Sequence, residues 1–323
     1  MIHVSLMCRI MWFCSALFIL LSVASCDWVE PSFPPEDETN EPYIDWALVQ
    51  GVEIKPFGLL NFAHQSAAAY NDYAFFILDG RSEMCMYSLK KGKELCTLKL
   101  NKEDVRIYHC NQSTFGVDRY SPLDPFPLLY ISQRAKKDGR CFIEVFRIIP
   151  QWDGALQEYR AFNVELVQTI FLPKMTYENC LGNANCVIDS QKGILYTYSR
   201  NNNTVEDNYG QCKVSAFIIP SIETTTHYLE DKDILFSFMI GHEAINMQGG
   251  CVNNGILYIG RGFPSAGYVD LLLVDLEQQT LIRVFDLLNN GVSWEPEGCF
   301  FYAESVMLAT SNCIFRIAQV HDD

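Results

Sequence analysis

Five stretches of this chain can be laid over one another, and this repetition constrains the fold more than any other feature of the sequence. Each stretch begins with a short strand-like segment led by a polar residue and continues with apolar strands rich in Val, Ile, Phe and Tyr. Clusters of Gly, Asn, Asp and Pro separate the strands, and helical periodicity is nearly absent, which together indicate an all-β protein. The leading segments are Gln65–Ala69, Gln112–Phe115, Asn185–Ile188, Gln248–Val252 and Glu297–Phe301.

A four-stranded sheet repeated around an axis is a β-propeller, so the repeat predicts five four-stranded blades. The fifth unit lacks a fourth strand. Val52–Phe57 precedes the first unit and is strand-like, and we expect it to complete the fifth blade and close the ring. The units are unevenly spaced, and we assign the extra residues mainly to loops at Pro150–Val164, Asn201–Gln211 and Pro220–Asp233. A two-sheet sandwich and a propeller with another number of blades are the alternatives.

The N-terminal segment predicts export. Arg9 and the apolar run Ile10–Leu21 have the layout of a signal peptide, and the run is shorter than the ~20 residues that a transmembrane helix needs. The following Val23-Ala24-Ser25-Cys26 resembles the bacterial lipobox, which implies cleavage after residue 25 and a lipid on the sulfur of Cys26. The alternative is an ordinary signal peptide with Cys26 unmodified.

The predicted mature chain begins with a tether. Residues 26–45 are rich in proline and acidic residues, a composition that stays extended, and residues 46–323 form the predicted propeller domain. Acidic residues directly after a lipid-bearing cysteine resemble the surface-export signals of Bacteroidetes lipoproteins. That resemblance implies anchoring to the outer membrane at the cell surface, with the periplasmic face as the alternative.

Charge and cysteine content narrow the classes of partner. The chain has 24 Lys and Arg against 39 Asp and Glu, and removal of residues 1–25, which contain one of the cations, leaves 23 − 39 = −16. Such an acidic chain repels phosphate backbones, so we expect no nucleic-acid partner. Ten cysteines follow Cys26 without a CxxC or zinc-type spacing, so we expect no metal and no cofactor. We expect mainly buried thiols and at most one or two disulfides, with Cys85–Cys96 across a hairpin and the neighbours Cys180 and Cys186 as candidates.

The polar starts of the leading segments form the first candidate site. In a propeller the first strand of each blade lines the central axis, which predicts a ring of four amides and one carboxylate. Amides both donate and accept hydrogen bonds, so this ring is suited to a hydroxyl-rich ligand or ordered water. The alternative is that the side chains only cap a narrow channel. The ring consists of Gln65, Gln112, Asn185, Gln248 and Glu297, and it is flanked by His64 and Asn111.

A second candidate site lies where the second strand of each unit ends. Four units place an arginine there, which predicts a positive ring on one face that suits carboxylate or sulfate groups. The alternative is that each arginine points into water or pairs with a nearby acid. The arginines are Arg81, Arg134, Arg200 and Arg261. Loops expected on the same face add His242, Glu243 and Trp294, the last being a candidate for stacking on a sugar ring.

These observations favour a non-catalytic binding or scaffold module whose partner is an anionic glycan or a surface protein. A glycosidase needs two carboxylates flanking the scissile bond. Glu297 is the single acid among the axial positions, and Glu178, Glu243 and Glu295 are available only from loops. We therefore do not expect a classical glycosidase. The alternative is a polysaccharide lyase that uses His64 or His109 as the base and the arginines to neutralise a uronate.

Two resemblances agree with this interpretation. Met247-Gln248-Gly249-Gly250, followed by Ile256-Leu257-Tyr258, is similar to the blades of plant-type glutaminyl cyclases that start with Gln-Gly. That similarity implies a five-bladed propeller. Taken with the lipobox, the whole chain resembles the Bacteroidetes-type propeller lipoproteins, many of which have no assigned function.

Overall fold

The structure is a computed structural model, and it describes residues 52–78, 83–99, 110–133, 136–174, 184–201 and 208–319. The predicted signal peptide, Cys26 and the tether lie outside these residues. Nearly all regular structure in the described ranges is β-strand, with two short 3-10 helices at Asp231–Asp233 and Pro264–Ala266. None of the described residues forms a helix with the length and apolar character required to cross a bilayer.

The described strands form five sheets, which are the blades. We number the blades in the chain order of their inner strands, and we give the strands of each blade from the inner one outward. Blade 1 contains β2 (His64–Tyr70), β3 (Tyr73–Leu78), β4 (Glu83–Ser88) and β5 (Lys93–Lys99). Blade 2 contains β6 (Cys110–Phe115), β7 (Leu129–Gln133), β8 (Phe142–Asp153), β9 (Glu158–Phe171) and a short fifth strand, β13 (Thr226–Tyr228). Blade 3 contains β10 (Asn185–Asp189), β11 (Ile194–Arg200), β12 (Gln211–Ile218) and β14 (Ile234–Glu243).

The last two blades complete the ring. Blade 4 contains β15 (Met247–Asn253), β16 (Ile256–Phe263), β17 (Tyr268–Asp275) and β18 (Thr280–Asp286). Blade 5 contains β19 (Gly298–Tyr302), β20 (Ser305–Ala309), β21 (Cys313–Gln319) and β1 (Val52–Leu59). The inner strands contact one another in the cyclic order β2, β6, β10, β15, β19 and back to β2. The protein is therefore a five-bladed β-propeller, as the repeat predicts.

The N-terminal strand closes the propeller. β1 pairs antiparallel with β21, so that Val52 lies opposite Gln319 and Ile54 opposite Ile317. The pairing continues to Leu59 and Cys313, two residues beyond the predicted end of this strand at Phe57. Blade 5 thus takes three strands from the C-terminal part of the chain and one from the N-terminal part, which confirms the predicted closure.

Five apolar clusters, one between each pair of neighbouring blades, form the core. Because successive side chains of a strand point to opposite faces, one strand supplies two clusters. Phe75 packs between blades 1 and 2, whereas the next residue, Phe76, packs between blades 1 and 5. This arrangement explains the apolar runs of the second strands, since both faces of each sheet are covered.

Two of the predicted loops are partly regular structure. Pro150–Val164 is the outer part of a long β8–β9 hairpin, in which Ile149 lies opposite Asn163 and Trp152 opposite Tyr159. The pairing of β7 with β8 ends at Phe146. Pro150 lies beyond that point, so the backbone N–H that proline lacks is not needed for a hydrogen bond to β7. Within Pro220–Asp233, β13 adds to β9 in parallel, and the 3-10 helix follows.

The nine described cysteines are all thiols, and eight of them are buried. The predicted Cys85–Cys96 bridge is wrong. Cys85 lies opposite Thr97 and Cys96 lies opposite Met86, so the two side chains point to opposite faces of blade 1. Cys180, the other half of the second candidate pair, lies outside the described residues.

We predict that Ile54→Asn lowers the free energy of unfolding by about 2 kcal/mol, because it puts a polar amide among the apolar residues between blades 4 and 5. Lys55→Asn is the control, since its exposed ammonium pairs only with exposed Glu53 and is worth about 0.5 kcal/mol or less. Urea unfolding followed by tryptophan fluorescence measures both. Equal effects of the two substitutions would show that β1 adds no packing energy.

Candidate functional site

Irregular pairing marks the start of three inner strands. The register shifts between His64 and Ser66 in blade 1, between Cys110 and Gln112 in blade 2, and between Met247 and Gly250 in blade 4. A β-bulge re-aims the side chains around it and is common beside functional sites. The predicted axial amides of these three blades lie within or directly beside the bulges, so strand alternation alone does not determine where they point.

Gln112 spans the axis and holds the backbone of a blade that is not its neighbour. Its side-chain oxygen accepts a hydrogen bond from the Gly250 N–H at 2.8 Å, and its amide nitrogen donates to the Gly250 carbonyl. The same nitrogen donates to the Ser113 carbonyl at 2.8 Å. Gln112 is completely buried. This amide is therefore a cross-axis tie between blades 2 and 4, and no hydrogen-bonding group of it faces solvent.

Asn185 has a similar supporting role on blade 4. Its Nδ2 donates to the Gln248 carbonyl at 3.2 Å, and the Tyr198 hydroxyl donates to the same carbonyl at 2.6 Å. A Cβ at Gly250 would lie 2.8 Å from the Tyr198 hydroxyl, so a glycine is needed for this contact. These two hydrogen bonds hold the Gln248 carbonyl in place, which positions the Gln248 side chain.

Four polar side chains remain together at one end of the axis, and we call Gln65, Gln248, Glu295 and Glu297 the mouth cluster. Gln65 donates to Glu297 at 3.5 Å, and Gln248 donates to Glu295. Glu295 also hydrogen-bonds Glu297. Glu297 is buried, whereas the other three are partly exposed. The mouth cluster thus combines three members of the predicted ring with Glu295, and a ligand from solution can reach its partly exposed side chains.

The two glutamates of the mouth cluster are close enough to influence each other's ionisation. Burial raises the pKa of Glu295, although the hydrogen bonds from Glu297 and Gln248 oppose that rise. The mouth cluster thus presents two carboxyl groups and two amides.

Trp294 adds an aromatic surface next to the mouth cluster. It precedes Glu295 in the chain and is 47% exposed. Its indole is therefore accessible to a ligand, as stacking on a sugar ring would require.

His64 does not belong to the mouth cluster, contrary to the prediction. Its ring lies edge-on to Phe62 and Phe76, with centroid distances of 6.1 and 4.9 Å, in the apolar cluster between blades 1 and 5. Burial lowers the pKa of His64 to about 4, and the backbone of Phe62 and Ala309 offsets only part of that effect. The imidazole is therefore neutral at neutral pH and screened from solvent. The bulge that follows His64 turns it away from the axis.

Two of the four predicted face arginines, Arg200 and Arg261, lie among the described residues. Arg261 is buried, donates from Nε to Asp270 at 3.2 Å and lies over the Tyr268 ring at 4.4 Å. Its Nη1 donates to His242 Nδ1 at 3.1 Å and to the Glu243 carbonyl at 3.2 Å. These contacts occupy the guanidinium, and its partners include the His242 ring and the backbone carbonyl of Glu243.

The remaining arginines add no open cationic face in the part of the chain that the structure describes. Arg200 lies over the ring of Tyr209 at 5.4 Å. Arg81, Arg134 and the side chain of Asn111 lie outside the described residues. The described ranges contain no group of three or more His, Cys, Asp or Glu side chains arranged to hold a metal ion.

The pairing of Glu295 with Glu297 is the functional feature that the sequence analysis missed. The two residues lie in a tight turn, in which the Glu297 N–H donates to the Glu295 carbonyl at 3.1 Å, and this turn keeps them close together. The Glu-Pro-Glu sequence directly before β19 carries that signal, because it places both carboxyl groups at the start of an inner strand.

Comparison with known proteins gives matches at the level of the fold. No protein-family model and no curated protein matches the chain. Among solved structures, glutaminyl cyclase of Myxococcus xanthus is 13% identical, with a TM-score of 0.43 over 84% of this chain and 96% of that one. A Thermus thermophilus protein described as a putative oxidoreductase (glucose dehydrogenase) is 12% identical, with a TM-score of 0.44 over 83% and 100%. The WD40 repeats of RRP9 are 8% identical, with a TM-score of 0.40 over 80% of each chain.

We predict that Gln112→Leu lowers the free energy of unfolding by about 3 kcal/mol, because the change leaves the Gly250 N–H and carbonyl without their side-chain partner in a buried place. Gln65→Leu removes a comparable amide from the partly exposed mouth cluster and is expected to cost about 0.5 kcal/mol. Chemical unfolding of both variants at one pH makes the comparison. Similar losses would argue against a distinct structural role for Gln112.

Proposed function

We propose that this protein is an exported, lipid-anchored β-propeller that binds an uncharged, hydroxyl-rich ligand, such as a neutral glycan, at the mouth cluster. The observation that carries the proposal is the meeting of two amides and two carboxyl groups at one end of the axis, where three of the four side chains are partly exposed. The anchor is assigned to Cys26 on the basis of the lipobox resemblance.

The chemistry of the mouth cluster matches a sugar. Each hydroxyl of a sugar donates one hydrogen bond and accepts others, and amides and carboxyl groups together offer both functions within a small space. The exposed indole of Trp294 supplies an apolar surface for the C–H face of a sugar ring next to those polar groups. Such a combination of one aromatic wall and a few fixed polar groups is typical of small-ligand sites.

An uncharged ligand fits better than the anionic glycan expected from the arginines. Arg261 is neutralised by Asp270, and the mouth cluster itself consists of amide and carboxyl groups. A uronate or sulfate at this place would meet repulsion from the cluster and from the net charge of the chain.

The lyase alternative has less support. A lyase base must reach a substrate carbon, and His64 is enclosed by Phe62 and Phe76 with its pKa lowered to about 4. His109, the other predicted base, lies outside the described residues. We therefore propose binding without catalysis.

The anchor predicts a membrane-bound, lipid-labelled protein. In a bacterial host supplied with an alkyne-tagged fatty acid, the full chain is expected to incorporate the tag and to sediment with membranes, whereas Cys26→Ser does neither. Cys8→Ser, within the predicted signal peptide, is the matched control and is expected to leave labelling intact. Equal labelling of the wild type and Cys26→Ser would remove the anchor from the proposal.

The binding proposal is tested by a glycan array with the full chain, followed by titration calorimetry with the best neutral ligand. We expect Trp294→Ala and Gln65→Leu each to raise Kd about tenfold, because each removes one contact worth about 1.4 kcal/mol. Trp152→Ala is the matched control, since this indole is 51% exposed but lies on the β8–β9 hairpin.

Three results would contradict the binding proposal. Retained affinity in both mouth variants would exclude the mouth cluster as the site, and an equal loss in Trp152→Ala would point to the hairpin instead. Uronate-containing glycans on the same array provide the third test, because a preference for them would favour the predicted arginine ring as the binding site. Release of unsaturated uronate would favour the lyase.

A further inference from the structure

Two buried thiols face each other where the inner strands of blades 4 and 5 meet. The sulfur atoms of Cys251 on β15 and Cys299 on β19 are 3.3 Å apart. Cys251 is 9% exposed and Cys299 is 1% exposed. Both belong to the apolar cluster between the two blades, so the contact lies inside the protein and not at its surface.

Glycines bring these strands together. A Cβ on Gly249 would lie 2.6 Å from the Glu297 carbonyl oxygen and from the Gly298 Cα, and 2.8 Å from the Cys299 nitrogen. No side chain fits there, so the two backbones are in direct contact. Cys251 follows Gly249 by two positions and therefore points to the same side of β15, towards blade 5. The approach that glycine permits is the reason why the two sulfurs meet.

Other buried thiols in the described ranges have oxygen partners instead. Cys110 lies 2.9 Å from the Ser66 hydroxyl, and Cys313 donates to the Ile314 carbonyl at 3.3 Å. The contact between Cys251 and Cys299 is different in kind, because two sulfurs this close need only a small shift to reach bonding distance.

We propose that Cys251 and Cys299 form a disulfide in the exported protein and thereby join blades 4 and 5 at the axis. Each thiol gives up its hydrogen, one S–S bond forms, and two protons and two electrons pass to the disulfide of a thiol–disulfide oxidoreductase in the compartment outside the cytoplasm, which becomes a dithiol. The oxidation of the two thiols outside the cytoplasm rests on the export part of the proposed function, whereas the pairing of the two cysteines rests on the geometry alone.

The bond forms during folding. Burial raises the pKa of Cys251, so little thiolate is available to react once the two blades are packed. The oxidant must act while β15 and β19 are still accessible. Once made, the bond closes a loop across a sequence separation of 48 residues and is screened from reductants by the apolar residues around it.

The direct test is disulfide mapping of the full chain, expressed with its N-terminal segment in a bacterial host. Free thiols are blocked with N-ethylmaleimide in denaturant, and the protein is then cut after Lys, Arg and Glu. We expect fragments 244–261 and 298–304 to appear as one linked species that separates on reduction. Cys299→Ser is expected to lose this species, whereas the matched variant of another buried thiol, Cys85→Ser, is expected to retain it.

A second measurement does not depend on any variant. Reduction of the wild type is expected to lower Tm by about 10 °C, because the cross-link restricts the unfolded chain over a long loop. Blocked thiols on both fragments in the exported protein, and again after refolding in a glutathione redox buffer, would overturn the pairing. A linked species after refolding, together with a cytoplasmic protein in cells, would support the pairing and count against export. Neither outcome bears on glycan binding, which the array measures separately.

Discussion

Apolar packing between neighbouring sheets is the interaction on which the rest of this structure depends. No blade has a core of its own, because its two faces contribute to two different clusters. Each blade is therefore stable only when both neighbours are present, and an open arc of blades would leave two apolar faces in water. β1 joins the two ends of the chain in one blade, and it supplies Val52 and Ile54 to the cluster between blades 4 and 5.

The same requirement shapes the axis. Five inner strands can converge only if some of their side chains are small or absent, and Gly249, Gly250 and Gly298 are the positions where a Cβ would meet the next strand or a side chain from another blade. Gln112 then fills the remaining space by pairing with the backbone of Gly250 across the axis. The centre is closed at that level, so polar groups accessible to solvent collect at the end where Gln65, Gln248 and the two glutamates lie. Close packing and the candidate site thus have one origin.

The repeated pattern of the strands was sufficient to predict the five blades and the closing strand, because both follow from apolar alternation and from the missing fourth strand of the last unit. The side chains of the site were harder to predict. Gln112 and Gln248 occupy the same place in their units, but the bulges orient the two side chains differently. The Gln112 amide is hydrogen-bonded inside the axis, whereas the Gln248 amide belongs to the mouth cluster. Arg261 looked open in the sequence because its partner Asp270 becomes adjacent only in the β16–β17 register. Local sequence does not contain such pairings.

The parallel addition of β13 to β9 has a consequence for how the protein assembles. The chain leaves blade 3 after β12, contributes β13 to the outer edge of blade 2, and only then returns as β14 to finish blade 3. These two blades are therefore interleaved along the chain and form one topological unit, since β13 of blade 2 lies between two strands of blade 3. The contacts that define this unit join distant parts of the chain, as do those between β1 and β21, and such topologies fold slowly because loop closure precedes the gain from packing.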